Sequence, residues 1–308
     1  MLRIATRKSA LALWQARRIQ GLLGDCELVP MQTEGDRILD RSLAEVGGKG
    51  LFVKELERAM EDGRADLAVH SAKDVPFELP AQFTLSAFTD REDPRDALIA
   101  RNARGFADLP KGARVGTSSL RRAVQLRAAR PDLQIVAVRG NVQTRLAKAT
   151  SGELDGVVLA LAGLRRLGLD SQVTEVLSVE LSLPAAGQGA LAIETLRGSP
   201  AEDATARLNL PESAVCVRAE RAVLARLGGG CTVPVAAFAV REGNALWLRA
   251  ALGGPDGASV RLLKAEGRGE DPEALGTQVA ESLLSQGGLS LLEAARAAAP
   301  GLPAPKRA

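Results

Sequence analysis

The chain has no tyrosine, and Trp and Phe bring aromatics to only 3% of its 308 residues. Proteins that coat single-stranded nucleic acid stack bases on aromatic rings, so that class has little support. A single histidine, His70, excludes a multi-histidine metal site within one chain. Cysteine is sparse as well. Cys26, Cys216 and Cys231 are odd in number, widely spaced and without a CxxC pair. That argues against a disulfide framework or a structural zinc and fits a reducing cytoplasm. No apolar run reaches the roughly 18 residues of a membrane span. The stretch Ala10-Leu11-Ala12-Leu13-Trp14 is shorter than the roughly 7–15 residues of a secretory core, and Arg17-Arg18 follow it. The expectation is a soluble, intracellular protein that touches neither membrane nor metal. An excess of charge is also missing: 40 Lys plus Arg against 37 Asp plus Glu leaves +3, too little for a chain devoted to coating nucleic acid.

What is present is a globular balance, 46% hydrophobic and 25% charged. The length suggests about two domains of roughly 150 residues, or three if they are small. Of the 40 cationic residues 32 are Arg and 8 are Lys. A GC-rich genome gives such a bias by itself. The alternative is a need for guanidinium forks, which grip carboxylates and phosphates bidentately.

Strand and helix patterns alternate through the first two thirds. Leu2–Ala5, Glu27–Met31 and Asp66–His70 read as strands. A helix capped by Ser9 follows the first, with a stripe of Leu11, Trp14, Ile19 and Leu22, and Gly50–Glu61 reads as another helix. This order predicts a mainly parallel sheet covered by helices. The charged, Pro-containing segment Arg91-Glu92-Asp93-Pro94-Arg95-Asp96 reads as a crossing, after which the pattern restarts. Asp96–Ala100, Ala113–Gly116, Ile135–Val138 and Gly156–Ala160 are strands, and Ser119–Arg130 and Val142–Thr150 are helices. Ser182–Gly189 is a second break, and Leu191–Glu194 could return to the first sheet. From Glu212 a helix to Leu227, three meandering strands (Val235–Val240, Leu246–Leu252, Ser259–Ala265) and two helices (Pro272–Ser285, Ser290–Ala298) suggest a small α+β unit. The expected units are 1–90 with 190–208, 95–185, and 212–308, the first two forming a hinged cleft.

Five segments can carry chemistry. Gly116-Thr117-Ser118-Ser119-Leu120-Arg121-Arg122 places hydroxyls, free backbone N–H groups and two guanidiniums at a helix start. Cations there oppose the helix dipole and ask for an anion. The segment lacks the Lys-Ser/Thr ending of a nucleotide loop. Arg139-Gly140-Asn141-Val142-Gln143-Thr144-Arg145 repeats the arrangement, and Arg7 and Arg166 fall after strands by the same logic. Such loops line the crevice at the carboxyl ends of the strands. His70-Ser71-Ala72-Lys73-Asp74-Val75-Pro76 offers Asp74 as a proton carrier or cation stabiliser, or as a turn residue, with Lys73 as a grip or pKa modifier. His70 itself reads as a buried, hydrogen-bonded residue. Gly228-Gly229-Gly230-Cys231 puts a thiol after three glycines, which suits a thiol carrying something bulky; Cys26 and Cys216 read as small buried hydrophobes. Glu45–Phe52 is Gly-rich and reads as a mobile loop or a plain helix entry.

In this order the segments resemble the porphobilinogen deaminase (hydroxymethylbilane synthase) family. The match runs through Arg3–Ser9, Val46–Phe52, His70–Pro76, Gly116–Arg122, Arg139–Asn141, Leu183–Gly189 and Gly229–Cys231, over roughly residues 1–240. The resemblance implies two α/β lobes like those of a periplasmic binding protein, with a cleft, plus a small α+β C-terminal domain. It implies a dipyrromethane cofactor joined by thioether to Cys231. The implied reaction joins four molecules of porphobilinogen head to tail, releases ammonia from each, and frees linear hydroxymethylbilane. By matching position Asp74 would be the catalytic carboxylate. Lys73, Ser119, Arg121 and Arg122 would hold the cofactor. Arg7, Ser9, Arg139, Arg145, Arg166 and Gln188 would bind substrate, and Lys49 and Phe52 would belong to a cleft-covering loop. A cytoplasmic monomer is implied too. Glu34 and Ala72 depart from the family pattern, which carries a basic or small residue and Met or Leu there. Acetate and propionate groups on every pyrrole make many Arg forks the expected counterpart, and a positioned carboxylate suits the cation that forms when ammonia leaves. Two other classes stay open: a carboxylate or phosphate receptor on the same fold, which needs no modified Cys231, and a nucleic-acid binder using the Arg loops, which salt would weaken steeply.

Overall fold

The computed structural model describes residues 1–37, 53–229, 233–256 and 259–298. Lys49, Phe52 and Cys231 lie outside these residues. So do the first residues of the helix expected from Gly50.

The first lobe is a five-stranded sheet in the order β2-β1-β3-β10-β4. Its strands are β1 (Leu2–Arg7), β2 (Cys26–Met31), β3 (Leu67–Ser71), β4 (Phe83–Phe88) and β10 (Leu191–Leu196). The second lobe repeats the plan as β7-β6-β8-β5-β9, from β5 (Asp96–Ala100), β6 (Arg114–Gly116), β7 (Gln134–Val136), β8 (Gly156–Ala160) and β9 (Glu175–Val176). β1 pairs parallel with β2 and β3, and β6 with β7 and β8. The expectation of a mainly parallel sheet needs correcting at one place in each lobe. β10 runs antiparallel to β3 and β4, and β5 antiparallel to β8 and β9. Both are the strands that arrive from the other lobe, and a chain crossing over enters its new sheet from the opposite end.

Helices cover both faces of each lobe, because a sheet buried on both sides must be apolar on both. In lobe 1, α1 (Ala10–Leu23) packs Ala16 and Ile19 against Ile4, Leu67 and Ile193, and α3 (Lys54–Glu61) packs Leu56 and Met60 against Ala68 and Phe83. The short α2 (Glu34–Arg37) precedes the undescribed stretch. The predicted stripe of α1 is partly wrong. Its buried face is Ala12, Gln15, Ala16 and Ile19, whereas Trp14 and Leu22 stay 38% and 39% exposed. Small residues at that face let the helix approach the sheet closely. In lobe 2, α4 (Leu120–Ala129) covers Leu98 and Val115 with Leu126, while α5 (Val142–Thr150) and α6 (Leu161–Arg166) cover Val157 and Leu159.

α7 (Pro200–Ala206) follows β10, and α8 (Pro211–Leu227) opens the C-terminal part. A three-stranded antiparallel sheet of β11 (Val235–Glu242), β12 (Ala245–Asp256) and β13 (Ser259–Gly269) packs on α8, α9 (Pro272–Leu283) and α10 (Leu289–Ala298). Val223, Leu248, Leu252, Leu275 and Leu283 form its core. The fold is therefore α/β, with two lobes joined by two crossings and a small α+β C-terminal domain.

Candidate active site

The crossings bring the carboxyl ends of the strands in both lobes toward one another. On the lobe 1 side, β3 ends in a single 3-10 turn, Ala72–Asp74, which holds Lys73 and Asp74. The turn is pinned from the returning crossing: Ala72 N donates to Ala190 O at 3.0 Å. Gly187 passes so close that a Cβ on it would lie 2.9 Å from the Cβ of Ala72, and its φ of +73° also favours glycine. The departure at Ala72 thus sits in a buried position under the turn. Ser9 caps α1, accepting from Ala12 N at 3.3 Å. Arg7, Ser9, Gln15, His70, Ser71 and Asp74 line one cavity there. The other departure, Glu34, is exposed, and its N–H donates to Glu55.

On the lobe 2 side, β6 ends at Gly116, where a Cβ would meet Leu154, Val138 and Val157 below 3.0 Å. Ser119 then caps α4, accepting from Arg122 N at 3.5 Å. Arg121 and Arg122 in the first turn are both buried. Their charges meet Asp96, which is fully buried at the start of β5. Asp96 accepts from Arg121 Nη1 (2.9 Å) and Nη2 (3.3 Å), Arg122 Nη2 (2.7 Å), Ser182 Oγ (2.7 Å) and Gln188 Nε2 (2.9 Å). The two guanidiniums outweigh the cost of burial and hold this carboxyl far below the usual range, so it stays ionised. Gln188 also accepts from Lys73 Nζ at 3.4 Å, which ties the Asp96 cluster to the turn carrying Asp74.

The two arginines differ. Arg121 donates to Asp96 and to Leu183 O at 2.6 Å, so both its terminal nitrogens are engaged inside the wall. Arg122 donates to Asp96 and Val158 O, but its buried Nε has no hydrogen-bond partner among the described residues. Further along, Asn141 caps α5, accepting from Thr144 N at 2.9 Å, and Arg145 Nε donates to Gly140 O at 2.9 Å. Burial first, then the like charges of Arg122, Arg139 and Arg7, push Arg145 below the ordinary guanidinium range, against the pull of Asp74. These groups from both lobes therefore share one electrostatic field. Lys73 belongs to it too. Burial pushes its ammonium down to about 8, Arg122 and Arg121 add to the shift, and Asp74 and Asp96 oppose it. Arg166 stands apart: it donates to Gly189 O at 2.6 Å and lies 5.6 Å over the Trp14 ring.

Three functional neighbours were not foreseen. Asp96 is one, read only as the end of a charged break and the start of a strand. Glu220 and Arg221 on α8 are the others. Buried Glu220 accepts from Arg91, Gly187 N and Ala239 N, and Arg221 donates to the carbonyls of Val75, Pro76 and Phe77 just beyond Asp74. They join the helix that leads toward Cys231 to the crossing and the Asp74 turn. Burial pushes the Cys216 thiol up to about 11 and raises that of Cys26, so neither thiolate is favoured.

A surplus of buried or half-buried cations around one carboxylate pair, with a vacant donor on Arg122, suits a ligand rich in carboxylates. Comparison with known proteins agrees. The model described as "Porphobilinogen deaminase, dipyromethane cofactor binding domain" matches residues 2–203, and that described as "Porphobilinogen deaminase, C-terminal domain" matches residues 214–285. Among solved structures, the periplasmic VFT2 domain of Bordetella pertussis BvgS is 15% identical with a TM-score of 0.40, covering 67% of this chain and 86% of that one. The aliphatic sulphonate binding protein SsuA of Escherichia coli is 18% identical with a TM-score of 0.40, covering 73% and 69%. Likeness at that level carries no weight beside the sheet order itself. With family matches across nearly the whole chain, the protein belongs to the porphobilinogen deaminase (hydroxymethylbilane synthase) family, transferases of tetrapyrrole synthesis that condense four porphobilinogen molecules on a dipyrromethane cofactor.

Proposed function

We propose that Asp74 is the catalytic carboxylate and that Cys231 carries the dipyrromethane by a thioether. The observation that supports this most is the charge field of the cleft: Arg145 of lobe 2 is pulled by Asp74 of lobe 1 and repelled by Arg122, Arg139 and Arg7. Those guanidiniums, with Lys73, Ser9 and Ser119, take the acetate and propionate groups of the cofactor and of each incoming unit. The Nε of Arg122 is a buried donor without a partner among the described residues, which a carboxylate reaching into the wall would satisfy. Arg121 serves the same subsite from within the wall, by holding Asp96 and the crossing. Gln188 links Lys73 to that wall, and Arg166 meets the chain nearer the crossing. When bound, the cofactor supplies the nucleophilic ring on which units are added. Asp74 stabilises the positive charge that develops as ammonia leaves, and accepts the proton released when the new bond forms.

The same reading places the domains at 1–90 with 190–208, 95–185 and 212–308, and Lys49 and Phe52 in a loop over the cleft. It also has the protein work as a cytoplasmic monomer. Unpaired Cys26 and Cys216 support a reducing compartment, and no helix among the described residues is long and apolar enough to cross a membrane. Intact-mass measurement with peptide mapping tests the cofactor site: an adduct on Cys231 is expected, and an active protein with only its amino-acid mass refutes it. Asp74→Asn should fold, keep the adduct and barely turn over. Near-normal turnover removes the assignment.

A further inference from the structure

Each condensation leaves two products besides the new bond. The aminomethyl group reacts as its ammonium: the C–N bond breaks with its electron pair going to nitrogen, which frees neutral ammonia, and a carbon–carbon bond forms. The ring that accepts the new unit gives up one proton. Ammonia departs as a small neutral molecule, but the proton stays on the base that took it. Toward the cleft Asp74 meets the Arg145 guanidinium and the Lys73 ammonium, which in their charged forms accept no proton.

The other wall of the Asp74 cavity is different. It contains His70, the one histidine of the chain. On the strand pair β3–β10, His70 Nε2 lies 2.9 Å from Glu194 Oε2, with the two side chains only 4% and 0% exposed. Glu194 Oε1 is also buried and has no hydrogen-bond partner among the described residues, though one carboxyl neighbour lies within reach. That neighbour is Glu57 of α3, whose carboxyl reaches Glu194 and is itself half-buried, next to solvent. Glu61 lies beside Glu57 on the same helix, and Arg221 of α8 faces Glu194 from the C-terminal domain. Between His70 and Asp74 the cavity is lined by Ser71, whose hydroxyl accepts from Gln15 Nε2 at 2.8 Å and so keeps its own proton free to donate.

We propose that His70, Glu194 and Glu57 form a proton outlet from the Asp74 cavity through lobe 1 to solvent. The proton passes from Asp74 across the polar cavity to the imidazole, from Nε2–H to Glu194, then to Glu57 and to water. The relay leaves the imidazole as its other tautomer, which a ring flip restores before the next unit adds; the carboxyl groups return to their starting state, and the proton meets the released ammonia outside the cleft. Burial, reinforced by the charge of Glu194, raises Glu57 to about 7, so its proton exchanges readily at neutral pH. The outlet rests on the assignment of Asp74, through which all three residues act.

The test is Glu57→Gln in the cofactor-loaded enzyme, since a half-exposed helix position tolerates the change. We expect kcat to fall roughly tenfold, less than loss of the proton acceptor itself would cause, while KM barely moves. The solvent deuterium isotope effect on kcat should rise, and the limb of the kcat–pH profile near neutrality should disappear. A pair that only satisfies strand neighbours predicts none of this, and an unchanged kcat, profile and isotope effect in E57Q overturns the outlet. Glu194→Gln should act in the same direction; if it fails to fold, E57Q decides alone. Asp74→Asn separates the two claims. An inactive D74N beside an unaffected E57Q sinks the outlet alone, whereas an active D74N sinks the assignment beneath it and the outlet with it.

Discussion

Each lobe buries a carboxylate at the edge of the cleft, and the two lobes balance it in opposite ways. In lobe 2, Asp96 is one acid among two guanidiniums, with Lys73 close by. In lobe 1, Glu194 and Glu57 share one imidazole, with Glu61 beside Glu57 and Arg221 of α8 facing Glu194. The first cluster has more positive charge than its own carboxylate cancels, so it gains from a bound anion. The second has more acid than base, so it gains from a bound proton. One wall of the cleft is therefore set to hold carboxylates, and the other to hold and pass protons.

The largest effects should come from breaking the lobe 2 balance. Asp96→Asn leaves two buried guanidiniums facing a neutral amide. Removing one partner of a buried pair costs about 3–5 kcal/mol, which urea denaturation would register. The same variant should purify with little covalent cofactor, because Arg122 loses the carboxylate that aims it. A D96N protein with full adduct and wild-type midpoint would show that the five hydrogen bonds to Asp96 matter neither to fold nor to cleft.

The two adjacent arginines sharpen the comparison. Arg121→Leu removes donors to Asp96 and Leu183 O, and hydrogen bonds to charged groups contribute about 1.5–3 kcal/mol, so stability falls while some adduct remains. Arg122→Leu leaves Asp96 paired with Arg121. Its stability should suffer less, and its mass should show a missing adduct or stalled chains. Equal phenotypes would mean that the vacant Nε of Arg122 is no cleft donor.

Nothing in Arg121-Arg122 as letters separates a strut from a ligand. The difference is made by Asp96, 25 positions upstream, and by a carbonyl on the returning crossing. Likewise His70 could be read as a buried, bonded residue, but its partner Glu194 lies 124 positions away. What was legible was local. β5, β8 and α5 have the bounds their patterns predict, and the hydroxyl caps Ser9 and Ser119 stand where a helix begins. α7 was missed although Ser199-Pro200 and Glu202 carry a start signal, with Ser199 accepting from Glu202 N at 3.3 Å. β4 and α6 were missed because six residues hold too little periodicity. The misjudged face of α1 has a different cause. The helix buries alanines against the sheet and leaves Trp14 to lie beside Arg166 of the other lobe, a preference no single-helix pattern contains.

A smaller loss should follow Ser182→Ala. It removes one donor of five from Asp96 and leaves the guanidinium pairing intact. A single neutral donor to a carboxylate should fall at the low end of about 1.5–3 kcal/mol. Cofactor loading should survive. A loss as large as that of D96N would move the weight of the cluster from the arginines to the crossing.

The smallest effect lies in lobe 1 and depends on pH. Glu57 keeps its proton in the folded protein up to about 7, against 4.5 for the free group. Between those values the folded state binds more proton than the unfolded chain, so this group makes stability fall as pH rises through that window. Solvent screens a half-exposed carboxyl, which keeps the effect modest. Glu57→Gln cannot titrate, so its midpoint relative to wild type should rise from pH 5 to pH 8. Taking the difference between the two proteins cancels the other titrating groups. If the two melting curves keep the same separation at both pH values, Glu57 is ionised throughout, and lobe 1 holds no proton for the cleft to use.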